Sequence, residues 1–336
     1  EIGGNGGNSI FIDGVRDNGA ISRDVYNIEQ VEIAKGPSGA DNGRGATSGY
    51  INLASKSPRL VAASSASLSY GFDEISSIER LRGTVDVNQP LESKSIHGVA
   101  FRFNALWQDG GVAGRDYVEQ NRWSIAPSLA IGLGTPTRVI AAYEHTDQDN
   151  VPDGGIPAAT NPEITSNSPL SSPYGQSNFY GLPEYDHEDV TVDRYTLRVE
   201  HDLNNGAKLT NQTRYGKNSR YAEISLPSYS TTTLLASRSR SITERDTEIL
   251  SNLTNFTATL TTGSISHVLS SGLELTREKA YSPGWTGAGA VAGTDLRHPE
   301  LRPPFTTARA PAKTGAYTDA QTDTGALYVF DTIKIN

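Results

Sequence analysis

Cysteine and methionine are both missing from the 336 residues, and each absence removes a class of explanation. Without Cys there is neither a disulfide framework nor a thiolate metal site. Without Met, residue 1 is not a translation start, and no signal peptide or apolar run of transmembrane-helix length is visible. The expectation is an internal portion of a longer chain whose leader has been lost, the more so because residues 329–336 fall within a strand-like run. Basic clusters are lacking as well. With a formal net charge of -9 and a pI near 5.2, nucleic acid is not expected as a partner, since affinity for phosphate backbones needs grouped Lys and Arg. Apolar residues make up only 36% and the mean hydropathy is -0.44, low for one large buried core. A barrel with a polar lumen tolerates this, because only every second strand residue need be apolar.

Catalytic and metal signatures are also wanting. The six His are scattered without an H-E-x-x-H pair, and no G-x-S-x-G elbow occurs. His145, Asp147, Asp149 and Asp153 in EHTDQDNVPDGG have the wrong spacing for a calcium loop and no Glu at its twelfth position. GADNGRG lacks the GK[ST] ending and following helix of a nucleotide loop.

What is present begins with residues 28–58, IEQVEIAKGPSGADNGRGATSGYINLASKSP, where glycine-punctuated turns separate two short β-prone runs. Gly36-Pro37 makes a rigid turn after a strand, and Gly43, Gly45 and Gly49 permit positive φ or close backbone approach. From about residue 62 onward the pattern becomes strand-like alternation in residues 65–71, 80–91, 98–108, 122–132, 138–146, 191–202, 208–220, 243–260, 267–279 and 325–335. Residues 92–95, 133–136, 204–206 and 261–265 read as tight turns, whereas 109–120, 149–190, 221–242 and 281–324 read as longer loops. Short turns on one rim and long loops on the other suit an outer-membrane barrel.

Within one segment Val99, Phe101, Phe103, Ala105 and Trp107 share a face, opposite Arg102, Asn104 and Gln108. In the next, Trp123, Ile125, Leu129 and Ile131 oppose Ser124 and Ser128. Trp107 and Trp123 lie near the strand ends, as interfacial girdle residues do. A soluble β-sandwich alternates in the same way, so strand length and loop parity carry the distinction. Glu29, Glu32, Lys35 and Arg44 are charges in the turn-dense segment that need partners if buried, and Arg82, Arg102, Arg194, Arg198, Glu144 and Glu200 are available on strands.

FIDGVRD (residues 11–17) and QVEIAKGPSGADNGRGATSGYINLASKSP (residues 30–58) closely resemble the second half of the plug domain of TonB-dependent outer-membrane receptors, and within them the ferric catecholate siderophore receptors. DNVPDGGIP resembles the segment leading from the fifth barrel strand into a large loop. The fold so implied is mainly β: a partial transmembrane antiparallel β-barrel, about ten of about 22 strands, preceded by the C-terminal part of a small α+β plug. Residues 1–60 would belong to the plug and residues 61–336 to the barrel.

The resemblance also implies a site. The loop between strand residues 11–15 and 30–33 would point outward, placing Arg16, Asp17, Asn18, Ile21 and Arg23 near a binding cavity. Arg16 and Arg23 would meet the charge and aromatic faces of a ferric tris-catecholate. Tyr174, Phe179, Tyr180 and Tyr185 in one loop, and Tyr281 and Trp285 in another, would line its walls, or equally would pack their own loops. Asn5 and Asn8 would form a second apical turn or a flexible link. Implied partners are a ferric siderophore, the TonB energy-transducing complex through a box outside this sequence, and outer-membrane lipid of a Gram-negative bacterium. No cofactor is implied, because ferric iron arrives as the siderophore complex, and the complete protein would be a monomer.

The expected activity is energy-coupled uptake, not catalysis. A receptor for cobalamin, haem or glycan, or a passive channel or adhesin, stays open beside the catecholate reading. Half a barrel would leave two unpaired edges that lipid does not tolerate, so this chain alone is expected neither to insert nor to transport.

Overall fold

The D-G pair makes the first turn. Asp13 and Gly14 take φ of 48° and 78° in the computed structural model, the two positive values that a two-residue type I′ hairpin demands. Residues 11–15, expected as one strand, are therefore divided between β1 (Ile10–Ile12) and antiparallel β2 (Val15–Arg16). Two further strands, β3 (Ile28–Lys35) and β4 (Gly49–Ser55), complete a sheet of order β2-β1-β4-β3, with β4 parallel to β1 and antiparallel to β3. Its small core is Ile10, Ile12 and Leu53, packed by Ile28 and Ile51. Gly49 has φ 110°, and a Cβ there would sit 2.1 Å from the Ala34 carbonyl oxygen, so glycine is required where β4 enters the sheet. The structure describes residues 10–17, 21–36, 49–76, 78–91, 96–157, 175–203, 206–229 and 235–335, none of them helical. Asn5, Asn8, Pro37, Gly43, Arg44 and Gly45 lie outside these.

The strand-like segments become one continuous antiparallel wall. It comprises β5 (Ala63–Asp73), β6 (Ile78–Leu91), β7 (Val99–Gly110), β8 (Glu119–Ile131), β9 (Thr137–Val151), β10 (His187–Asp202), β11 (Lys208–Tyr229), β12 (Leu235–Thr262) and β13 (Ile265–Trp285). After the short β14 (Thr294–Asp295), which pairs with the start of β12, comes β15 (Lys313–Ile335) against β13. Each long strand pairs with its long neighbours in the chain, leaving β5 and β15 as the edges.

The polarity of the wall is inverted relative to a soluble protein. In β7, Arg102, Asn104 and Gln108 are buried while Trp107 is exposed, and in β8 Arg122, Ser124 and Ser128 are buried while Trp123, Leu129 and Ile131 are exposed. Trp107 and Trp123 are direct cross-strand partners. Leu197, Leu209, Leu250, Leu273, Leu275, Leu327 and Val329 continue the exposed apolar face. A sandwich would bury these residues; a membrane barrel presents them to lipid. Tyr143, Tyr195 and Tyr215 stack across successive strands with ring centroids 4.8 and 6.4 Å apart, an aromatic belt of the kind found at membrane interfaces.

Polar groups on the outward face are mutually satisfied. Asn211 donates to Asn252 and Thr254 at 3.1 and 2.8 Å, and Asn252 donates back to Asn211 and to Thr213 at 3.2 and 2.8 Å. Hydrocarbon requires this closure, since it offers no water to an unpaired amide.

Several strands run farther than their alternation indicates. β11 and β12 stay paired to Tyr229 and Ala236, so residues 221–242 are mostly ladder and not loop. β13 and β15 likewise pair out to Trp285 and Lys313, which shortens the expected loop 281–324 to residues 286–312. Beyond the hydrocarbon both faces meet polar surroundings, so the hydropathy signal fades while the hydrogen-bond ladder persists. Residues 74–77 join β5 to β6 by a short connection at the otherwise long-loop rim, a departure from the parity rule.

Leu273, 42% exposed on the outward face, provides a discriminating test. In the complete barrel, Leu273→Arg is expected to destabilise refolding into liposomes by up to about 2–4 kcal/mol, read from urea midpoints. In a soluble sandwich the same exposed position would change stability by only about 0.5 kcal/mol.

Candidate functional site

The inner face of the wall and the β1–β4 sheet meet along a polar seam. Where the chain passes from sheet to wall, Asn88 donates to the Arg59 and Val61 carbonyls and accepts from the Arg59 N–H, at 2.7–2.9 Å. Lys56, from the K-x-P triplet, donates to the Tyr26 carbonyl at 2.7 Å and to Asn104 at 3.2 Å, and lies 3.0 Å from Asp86. Ser57 accepts from Arg102 through its carbonyl at 3.0 Å and from Arg198 through its hydroxyl at 3.1 Å. Glu29 reaches Arg102 at 3.2 Å and also pairs with Arg59.

Nearer the long-loop rim, Arg82 grips Asp24 with two hydrogen bonds at 2.8 and 2.9 Å, and Gln148 donates to the Ser22 carbonyl at 2.9 Å. Apolar contacts run between them: Tyr26 with Leu106 and Ala126, and Ile21 with Val190 and Val192. The sheet is thus a plug, and Ser22 and Asp24 beside it are held toward the long-loop end.

The D-G turn supplies the most buried anchor. Arg214 donates to Asp13 at 2.6 Å and to the Ile12 carbonyl, while Gln212 donates to the Asp13 carbonyl at 2.9 Å. Burial pushes the Asp13 carboxyl up, but the Arg214 charge and the Ser55 N–H more than offset it and hold it below the ordinary carboxylate range. Beside this anchor a polar gap of about 40 Å³, lined in part by Lys56, Ser57, Glu144 and Arg194, has room for about one water molecule.

The residues expected to meet ligand fall into distinct places. Asp17 and Arg23 are buried as a pair 2.5 Å apart, with Arg194 3.7 Å from Asp17, and Ile21 is buried against β10. These three hold the plug loop against the wall. Arg16, with its side chain 25% exposed, approaches Glu278 at 4.0 Å. Asn18 and Tyr174 lie outside the described residues. Phe179 and Tyr180 are buried against other segments, Phe179 beside Tyr117 and the Tyr180 hydroxyl donating to the Leu296 carbonyl at 2.7 Å. Tyr281 shares the outward face with Leu273 and Leu275, against Tyr317, so strand alternation turns it away from the lumen. Trp285 donates to Glu244 at 3.0 Å and packs edge-on against Tyr221.

Of the plug charges, Glu29 finds a wall partner as expected, whereas Glu32 bonds to Asn52 within the plug. Glu200 is occupied by Arg138, Arg198 and Lys208 on the wall itself. The acidic loop near His145 does not gather. His145 lies 3.0 Å from Asp193, and Asp153 is held by Arg115 through two 2.8 Å bonds. Among the described residues no three His, Asp or Glu side chains converge as a metal cage.

A charge cluster that sequence reading did not identify ties the long loops together. Glu223 accepts from Arg240 at 2.6 Å and from Arg309 at 2.8 Å, all on or against the extended β11–β12 hairpin. Asp186 accepts from the Ser225 hydroxyl at 2.8 Å and from the Leu182 N–H at 3.1 Å. Tyr185 and Phe305 cover it with rings 5.2 Å apart, and Arg309 lies 4.8 Å over Tyr185. Burial raises the Asp186 carboxyl above its ordinary value despite those hydrogen bonds and the Arg240 charge. The only signal available beforehand was the loop aromatic Tyr185.

An inverted barrel wall closed from within by a small β plug defines a plugged outer-membrane barrel. Residues 122–336 match the profile of the TonB dependent receptor-like beta-barrel and residues 2–50 that of the TonB-dependent Receptor Plug Domain. The chain belongs to the TonB-dependent receptors, a family of transporters, not enzymes, in the outer membrane of Gram-negative bacteria. It is 38% identical over 346 aligned positions to the catecholate siderophore receptor Fiu of Escherichia coli K12, covering 98% of this chain and 43% of that relative. The crystal structure of the ferric-catecholate import receptor Fiu in its open form superposes with a TM-score of 0.86 at 37% identity, over 99% of this chain and 51% of that one. The siderophore receptor PiuA from Acinetobacter baumannii gives 0.85 at 25% identity, over 99% of this chain and 51% of that one. The chain therefore spans about half the length of the relatives it matches.

Removing the Asp13 carboxylate leaves the Arg214 charge buried without its counter-ion. In the complete receptor, Asp13→Asn is expected to weaken plug anchoring by about 3–5 kcal/mol, read as faster amide exchange at residues 10–16. Because the folded value of Asp13 is lowered, its stabilisation is complete above about pH 4 and is lost as pH falls through the lowered value. The variant should lack that acid dependence. Glu223→Gln should release the segment around Arg309, seen as raised exchange over residues 286–312 with plug exchange unchanged.

Proposed function

We propose that the receptor containing this chain captures a ferric siderophore of the catecholate class at its outer face and passes it into the periplasm when TonB draws on the plug. The observation that carries this reading is the seam: a β plug held to the inner wall by separate charge pairs, Asp13 to Arg214, Asp24 to Arg82 and Glu29 to Arg102. Each such pair is weak evidence for stability, since desolvation offsets most of its attraction. Together they orient the plug firmly yet allow it to be displaced stepwise into a hydrated lumen. The cargo class is supported by the identity to a catecholate siderophore receptor over nearly the whole chain.

In this proposal no bond of the cargo is broken, so the protein is not an enzyme, and iron enters with its own ligands, so no cofactor is needed. Residues 1–60 act as plug and residues 61–336 as barrel, a division supported by the Asn88 clamp on Arg59 and Val61. Both edges of the wall, β5 and β15, would be covered in the complete, monomeric barrel, because unpaired ladders in lipid cost several kcal/mol per group. Of the plug residues first considered, Arg16, whose side chain is 25% exposed, is assigned to ligand contact in this proposal. Asn18 and Tyr174 stay in the proposal, and Asp17 and Arg23 serve to hold the plug loop against the wall.

The test is a fluorescence-quenching titration of the full-length receptor in detergent with iron(III) tris-catecholate, a ferric hydroxamate and cobalamin. Selective catecholate binding, weakened in Arg16→Ala, is the expected result. Catecholate binding no tighter than the other two would sink the cargo assignment and leave the plugged transporter.

A further inference from the structure

Three loops at the outer rim are fastened to one another and to the β11–β12 hairpin. Alternation along β12 turns Arg238 and Arg240 to the same face, and both reach backbone carbonyls of residues 286–312. Arg238 donates to Glu300 and Ala292 at 2.7 and 3.1 Å, and Arg240 donates to Ala288 at 2.5 Å. Within that loop β14 adds a strand pairing, Thr294 to Ala236 and Asp295 to Leu235. Glu223 of β11 closes the arrangement by accepting from Arg309 of the loop and from Arg240 of the strand.

Residues 175–186 are bound to this loop in turn. The Asn178 amide and the Tyr180 hydroxyl both donate to the Leu296 carbonyl, at 3.1 and 2.7 Å, and Tyr180, Ala236 and Leu296 make a small apolar core where the segments meet. Residues 111–118 join through Asp116, whose N–H donates to the Ser177 carbonyl at 2.7 Å and whose carboxylate accepts from the Ser177 hydroxyl at 3.0 Å. Backbones approach closely as well: a Cβ at Gly154 would sit 2.2 Å from the Ser225 carbonyl oxygen. Segments that open readily have few buried contacts and hydrogen bonds exposed to water, and this rim has the reverse. Lifting residues 286–312 breaks the guanidinium–carbonyl bonds of Arg238 and Arg240, the Glu223–Arg309 pair and the β14 pairing in one step, and it takes Leu296 from Tyr180 of the neighbouring loop.

We propose that residues 111–118, 175–186 and 286–312, with the outer ends of β11 and β12, form a fixed collar that is assembled before ligand arrives and keeps its shape when ligand binds. Ligand then enters, and the mouth closes, over the remaining part of the rim. The collar goes beyond the cargo reading given above and rests on it only for the probe whose binding and import are measured.

The experiment uses the full-length receptor carrying Leu235→Cys and Asp295→Cys. Antiparallel partners stand about 4.5–5.5 Å apart at Cα, within disulfide reach, and the 336 residues contain no cysteine of their own. Oxidation therefore ties residues 286–312 to β12. For a fixed collar, the oxidised receptor is expected to bind iron(III) tris-catecholate in detergent, and to import it in cells, within about threefold of its own reduced form. A larger loss on oxidation that reduction restores overturns the collar. If the wild type does not bind the probe, the cargo reading fails on its own account. In that case, or if the pair does not oxidise, amide exchange of the ligand-free wild-type receptor decides. Protection of residues 286–312 within about tenfold of that of residues 236–245 supports the collar, and faster exchange overturns it.

Discussion

Hydrocarbon leaves no polar group unpaired, and that single constraint organises this protein. It demands a continuous hydrogen-bonded ladder, which the ten consecutive antiparallel strands supply. It demands an apolar outward face, and because side chains alternate strictly along a strand, the opposite face becomes the place for everything polar. Arg102, Asn104, Gln108, Arg122 and Arg214 are buried for this reason. Where the outward face does carry amides, Asn211 and Asn252 satisfy each other and two threonines.

A polar interior in turn determines what can fill it. Among the described residues the plug core is a handful of aliphatic side chains, and polar attachments run through Asp13, Asp24, Glu29 and Lys56. Such attachments specify position better than they stabilise it, because each charge surrendered hydration to reach its partner. A plug held by apolar packing would be hard to withdraw without exposing that surface to water. One held by ion pairs can exchange them for water. The loop cluster of Glu223, Arg240 and Arg309 uses the same chemistry at the outer rim, but there it is closed over by Tyr185 and Phe305.

Much of this was legible from residue order because its physical basis is local. The alternation of Val99 to Gln108 has a period of two and needs no knowledge of the rest of the chain, whereas the D-G pair, which encodes its own hairpin, was passed over when residues 11–15 were read as one strand. The segments missed were those whose signal is not cleanly hydropathic, such as the outer ends of β12 and β15, rich in polar residues yet paired. Among the candidate site residues, Asp17 became the partner of both Arg23 and Arg194. Nothing near residue 23 in the sequence announces a guanidinium from β10.

By itself the sequence determined the strand periodicity, the inverted polarity, the glycine positions at Gly14 and Gly49, and membership in a family with a plugged barrel. All follow from backbone sterics and from side-chain order over a few residues. Only the tertiary structure decided which charges meet. Asp13 and Arg214 are 201 residues apart in the chain, and Tyr180 is buried by a carbonyl 116 residues away. Arg220 and Arg245 face each other only because the β11–β12 register sets them so. Pairing over such distances depends on how the strands close around the plug, and composition and local pattern carry no information about that closure.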